Sequence, residues 1–138
     1  MISASLVNEL EAQRLDISEI EKMANAFITA RDNQKQLIFF GNGGSAAQAN
    51  HLAAEFVGKC VKDHPPFSAI SLNSNSSALT AIANDYGYEN VFSRQVDASV
   101  TKNDIVIGLS TSGKSISVRN ALARASEIGA ECYFWTGE

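Results

Sequence analysis

The sequence predicts an α/β protein, a doubly wound parallel sheet covered by helices on both faces and preceded by N-terminal helices. Three observations predict it. Short apolar runs rich in β-branched and aromatic residues, LIFF at 37–40, FSAISL at 67–72, DIVIGLS at 104–110 and ECYFWT at 131–136, read as buried strands. Stretches with the spacing of amphipathic helix separate them. Each of the first three runs leads into a polar, hydroxyl- and amide-rich loop, as right-handed β-α-β crossovers require.

Taken in order, residues 4–33 form a helical segment, with Leu6, Leu10, Leu15, Ile17, Ile20, Met23, Ala24, Phe27 and Ile28 at helical spacing. Asp16-Ile-Ser-Glu19 marks a break and a fresh N-cap inside it. The polar turn at 31–35 precedes the first strand, which ends in Gly41-Asn-Gly-Gly-Ser45, and helix-forming residues follow over 46–57. After the second strand come the loop Asn73-Ser-Asn-Ser-Ser77, a short helix over 78–83 and another over 88–99. The third strand enters the loop Ser110-Thr-Ser-Gly-Lys-Ser115, a helix covers 115–127, and Gly129 ends it before the fourth strand. The chain stops directly after that strand, so a last strand and covering C-terminal helix are expected to be missing and the domain, with its core over 36–138, to be C-terminally incomplete.

Composition narrows the function classes. At 138 residues the chain holds one domain, and 45% hydrophobic with 19% charged residues is the make-up of a soluble globular protein. A net charge of -4 supplies no basic field for nucleic acid or an anionic membrane. The N-terminus lacks a continuous apolar run, so a cytoplasmic protein without signal peptide or membrane span is expected. Cys60 and Cys132 fit neither a disulfide framework nor a zinc knuckle and are expected to be buried free thiols.

In doubly wound sheets ligands bind outside the carboxyl ends of the strands. The loops Gly41–Ser45, Asn73–Ser77 and Ser110–Ser115 all fall on that edge. Glycine lets backbone approach an anion, helix N-termini present N–H groups, and serine or threonine adds compact donors. One such loop is explained by turn geometry and capping alone. Three on the same edge point to a ligand, and the groups suit a phosphate attached to a polyol.

Two nucleotide readings compete. GLSTSGKS, 108–115, matches the pattern of a triphosphate-binding loop, and Gly41-x-Gly43-x-x-Ala46 matches part of a dinucleotide fingerprint. The first requires a magnesium-binding acid on a later strand, whereas the one strand that follows ends in Trp135-Thr136. The second requires an acid at the end of the second strand, which closes with Leu72-Asn73. Neither requirement is met.

His51 and Glu55 lie one helical turn apart in HLAAE, so they share a helix face. The pair can hold a metal jointly, can move a proton, or can be an ordinary surface pair. Two ligands are too few for a stable zinc site.

GNGGSAAQANHLAAEF, LTAIANDYGYENVFSRQV and DIVIGLSTSGKS resemble the three signature segments of the bacterial phosphoheptose isomerases, or sedoheptulose 7-phosphate isomerases, of the sugar isomerase (SIS) domain superfamily. The resemblance covers nearly the whole chain. It implies a flavodoxin-like five-stranded parallel sheet and a homotetramer. It also implies conversion of sedoheptulose 7-phosphate to D-glycero-D-manno-heptose 7-phosphate, the first step towards the heptose of lipopolysaccharide. By the same resemblance, substrate contacts fall on Asn42, Gly43, Gly44, Ser45, Glu55, Asn84, Asp85, Ser110, Thr111, Ser112 and Ser115, one zinc ion is held by His51 and Glu55, and Glu55 is the catalytic base.

The sequence departs from the family in two respects. By the resemblance, the family's remaining metal ligands, a glutamine and a histidine that also acts as general acid, belong to the C-terminal helix expected to be missing. Lys114 stands where the family has asparagine, and it is Lys114 that creates the nucleotide-like match. A related adaptor class of the superfamily assembles as a tetramer on the DnaA replication initiator, and a non-catalytic sugar-phosphate sensor is a further alternative. Glu55 favours the enzyme, because the adaptors resemble one another in carrying a small polar residue there.

Overall fold

The computed structural model describes residues 16–137. The apolar run LIFF and the following glycine form β1 (Leu37–Gly41), which is buried along its whole length at the centre of the sheet. It pairs in parallel with β2 (Ala69–Ser71) on one side and β3 (Ile105–Ser110) on the other, and β3 pairs with β4 (Glu131–Thr136), so the order is β2-β1-β3-β4. Strands one and three are continuous hydrophobic runs because both of their faces are covered.

Alternation along β1 divides the core in two. Leu37 and Phe39 face a layer built from α1 (Ile17–Asp32) and α2 (Gly44–Val57), with Phe27, Ala49 and Ala53. Phe56 stacks on Phe39, their centroids 5.7 Å apart, and meets Phe27 and Phe67 edge-on. Ile38 and Phe40 face the other layer, formed by α3 (Ser76–Tyr86), α4 (Ser93–Ser99) and α5 (Ile116–Ile128). Phe92 packs on Phe40 at 5.0 Å, and Val96, Val118, Ala121 and Ala125 complete that layer. Small residues along α5 let the helix lie close to the sheet.

The expected N-cap is present: the Asp16 carboxylate accepts from the Ser18 and Glu19 backbone N–H groups, and α1 starts one residue later. The helical stretch expected before it lies outside the described residues. The helix expected over 88–99 is divided into a 3-10 turn (Tyr88–Asn90) and α4, because Val91 and Phe92 between them turn fully into the core. Among the described residues no helix is long and apolar enough to cross a membrane.

The expectation of two buried thiols is corrected. Cys60 is exposed, in the irregular segment after α2, and Cys132 is only half-buried. Strand β4 is the edge of the sheet, and its side chains are far less covered than those of β1 and β3, so Cys132 lacks the enclosure a central strand would provide. Burial still pushes the Cys132 thiol above its ordinary value.

Candidate functional site

Chain order places β1's outgoing helix on one face of the sheet and β3's on the other, so the topological switch point lies between these two neighbouring strands. Their ends are in register, Gly41 opposite Leu109. The β1–α2 and β3–α5 loops therefore leave the sheet side by side. Gly41 is required by this close approach, since a Cβ there would lie 2.8 Å from the Leu109 carbonyl oxygen and 2.7 Å from Ser45 Cβ.

The two loops are joined by one side chain. Asn42 Nδ2 donates to Ser115 Oγ at 2.6 Å and to Ser117 Oγ at 3.1 Å, while its Oδ1 accepts from the Tyr88 hydroxyl at 2.7 Å. Ser117, on the first turn of α5, is buried. From the other side Asn73 clamps the end of β1, its Oδ1 accepting from Gly41 N at 3.0 Å and its Nδ2 donating to Gly41 O at 2.8 Å.

Both helices begin without a side-chain cap. Gly43 at the N-cap of α2 has no side chain to offer and sits at φ 57, a conformation that favours glycine. Ser115 at the N-cap of α5 makes no capping bond, its hydroxyl being engaged by Asn42. Cβ atoms added at Gly43 or Gly44 would meet nothing within 4 Å, so the backbone there is open. Two uncapped N-termini of opposite faces thus converge at one point, an arrangement that attracts an anion.

Beside them lies a cavity of about 660 Å³, lined by Ser45, Gln48, His51, Ser110, Thr111 and Trp135 among others. The β4 end closes one side of it, and Gly137 N donates to Thr111 O at 3.1 Å. Of the residues expected from sequence, Ser45, His51, Ser110 and Thr111 line this cavity, and Asn42, Gly43, Gly44 and Ser115 form the junction beside it. Ser112 is exposed on the β3–α5 turn, where its Oγ accepts from Lys114 N. Asn84 and Asp85 bond to each other at the exposed end of α3 and do not line the cavity.

His51 Nε2 stands 3.8 Å from Glu55 Oε1, with the imidazole 74% exposed and the carboxylate 30%. Glu55 is one turn farther along α2 and does not line the cavity. Its carboxylate pushes the exposed Cys60 thiol above its ordinary value, which makes Cys60 a poor thiolate donor. An imidazole nitrogen and a carboxylate oxygen fit two positions around a divalent ion. Among the described residues no group of three His, Cys, Asp or Glu side chains could complete the set.

Sequence reasoning missed Tyr88, Ser117, Gln48 and Trp135. Gln48 could have been found, since it precedes His51 by three residues and so shares its helix face. The others come from elements whose meeting with Asn42 or the cavity is tertiary.

The SIS domain family model matches residues 3–137. A phosphoheptose isomerase from a Bradyrhizobium strain is 47% identical over 116 residues, covering 84% of this chain and 59% of the relative, so the chain spans about three-fifths of that protein. The structure of phosphoheptose isomerase GmhA from Neisseria gonorrhoeae superposes with a TM-score of 0.85 at 36% identity, over 97% of this chain and 70% of that one. A phosphoheptose isomerase from Francisella tularensis superposes with a TM-score of 0.87 at 26% identity, over the whole of this chain and 77% of its own.

Proposed function

This chain belongs to the SIS domain family, in its phosphoheptose isomerase branch, and from that premise we propose that it interconverts sedoheptulose 7-phosphate and D-glycero-D-manno-heptose 7-phosphate, a precursor of lipopolysaccharide heptose. The observation that carries the reading is the convergence of two uncapped helix N-termini, tied by Asn42, beside a cavity lined by His51. A phosphate ester placed at those N-termini leaves the rest of a seven-carbon sugar to extend along the cavity.

Ketose–aldose exchange moves a proton between neighbouring carbons through an enediol and needs a base near the carbon and an electrophile near the oxygens. Glu55 is the base in this reading. The backbone N–H groups of Gly43, Gly44 and the 110–115 loop, with Ser110, Thr111, Ser112 and Ser115, hold the phosphate, so that binding energy at the remote end orients the reacting end. Asn84 and Asp85 contact the substrate only if α3's exposed end lies against a longer ligand or a neighbouring subunit, as in a homotetramer. His51 and Glu55 would hold a divalent ion, zinc by family resemblance, as two of its ligands. Such an ion, when bound, polarises the sugar's oxygens.

The test supplies sedoheptulose 7-phosphate to the protein expressed with its complete reading frame and follows the aldose product. Glu55→Gln is expected to lower turnover by at least about a hundredfold, the scale of a general base, while binding persists. Unchanged turnover would remove Glu55 from that role.

A further inference from the structure

Asn42 has both ends of its amide engaged by protein groups, and this fixes more than position. The Tyr88 hydroxyl donates to Oδ1, so the carbonyl end of the amide points at the 3-10 turn and the NH₂ end at α5. Ser115 and Ser117 are then both acceptors from the same nitrogen. A serine hydroxyl has one donor and two acceptor sites. Ser117 is only 4% exposed and its Oγ is 3.3 Å from Ser115 Oγ, a pair in which either hydroxyl can donate; the burial of Ser117, which gives its hydrogen little access to water, favours Ser117 as the donor. In that arrangement both acceptor sites of Ser115 are filled and its own hydrogen is left for a group over the start of α5, where Ser115 makes no capping bond.

We propose that Tyr88 and Ser117 are positioning residues that set the polarity of a relay running from Tyr88 through Asn42 to Ser115, which commits the Ser115 hydroxyl to donate to the phosphate of a bound ester. This rests on the proposed phosphate site and adds its specificity. A committed donor donates to a fully ionised phosphate oxygen and discriminates against a ligand that offers a hydrogen at that point. In this relay Asn42 acts through Ser115.

A double-mutant cycle tests the relay, using the chain as it stands and inorganic phosphate, with sedoheptulose 7-phosphate as second probe, by calorimetry at pH 8. Tyr88→Phe keeps the ring and removes the donor. It is expected to weaken phosphate binding about fivefold to tenfold, the scale of one hydrogen bond between neutral groups, and to shift the Asn42 side-chain amide signals in the ligand-free protein's NMR spectrum. In a Ser115→Ala background the same substitution should cost nothing further. Ser117→Ala, which leaves Tyr88 in place, should weaken phosphate binding in the same way and also lose its effect once Ser115 is gone. Losses that add in full, or unchanged affinity in Tyr88→Phe, overturn the relay while leaving the phosphate site intact. Failure of the unsubstituted protein to bind phosphate overturns the site reading itself and the relay with it.

Discussion

The β2–α3 loop and the β3–α5 loop are both rich in serine with amide or threonine, each leaves a strand end and each leads into a helix, yet their polar groups are engaged differently. In the first, Asn75 caps its own helix, Oδ1 accepting from Ala78 N at 3.0 Å, and Asn73 is engaged with Gly41. The side-chain oxygens of both asparagines are thus engaged within the protein. In the second, the N-cap Ser115 leaves α5 uncapped and takes its bond from a neighbouring loop. Composition alone marks both as ligand loops. What separates them is whether the helix start has a side-chain cap: Asn75 caps α3, whereas α5 has none, so the first loop is a brace and the second is the cradle of the proposed phosphate site.

The comparison can be broken at the place where the loops meet. Gly41→Val drives a side chain against the Leu109 carbonyl and Ser45, and is expected to cost about 3 kcal/mol of stability, read as a lowered denaturation midpoint, with phosphate binding lost as well. Full stability in that variant would mean that the loops need not lie together. Asn75→Ala sharpens the contrast: losing the cap should cost about 1 kcal/mol in thermal unfolding while phosphate affinity stays unchanged, because that loop is a brace. A fall in affinity would return it to the ligand site. The smallest effect is expected at Lys114, whose exposed side chain extends from the β3–α5 turn. Lys114→Asn should change phosphate binding by about 0.2–1 kcal/mol, an effect that fades as salt is raised.

Much of the architecture was legible because each layer writes its own period into the chain. LIFF and the IVIGL of 105–109 are uninterrupted apolar runs, as strands covered on both faces must be, and Asp16 announces the start of α1 through a carboxylate in front of a helical pattern. The glycine loop was legible for a similar reason, since few residues other than glycine tolerate the φ of Gly43. Burial of Cys132 was misread because β4, with Cys132, Tyr133, Phe134 and Trp135 in a row, reads like a central strand. Whether a strand is central depends on which neighbours pair with it, and among the described residues β4 pairs with β3 alone.

The sequence by itself determined the element order, the parallel sheet, the glycine and serine loops on one edge and the His51–Glu55 pair on one helix face, because these follow from local periodicity and backbone conformation. Only the tertiary structure decided which loops meet. The strand order β2-β1-β3-β4 sets the β1 and β3 loops side by side at the switch point, and residues as distant in sequence as Asn42, Tyr88, Ser115 and Ser117 become one hydrogen-bonded group there. Hydrogen bonds act over about 3 Å regardless of separation along the chain, so no spacing in the sequence can reveal that group.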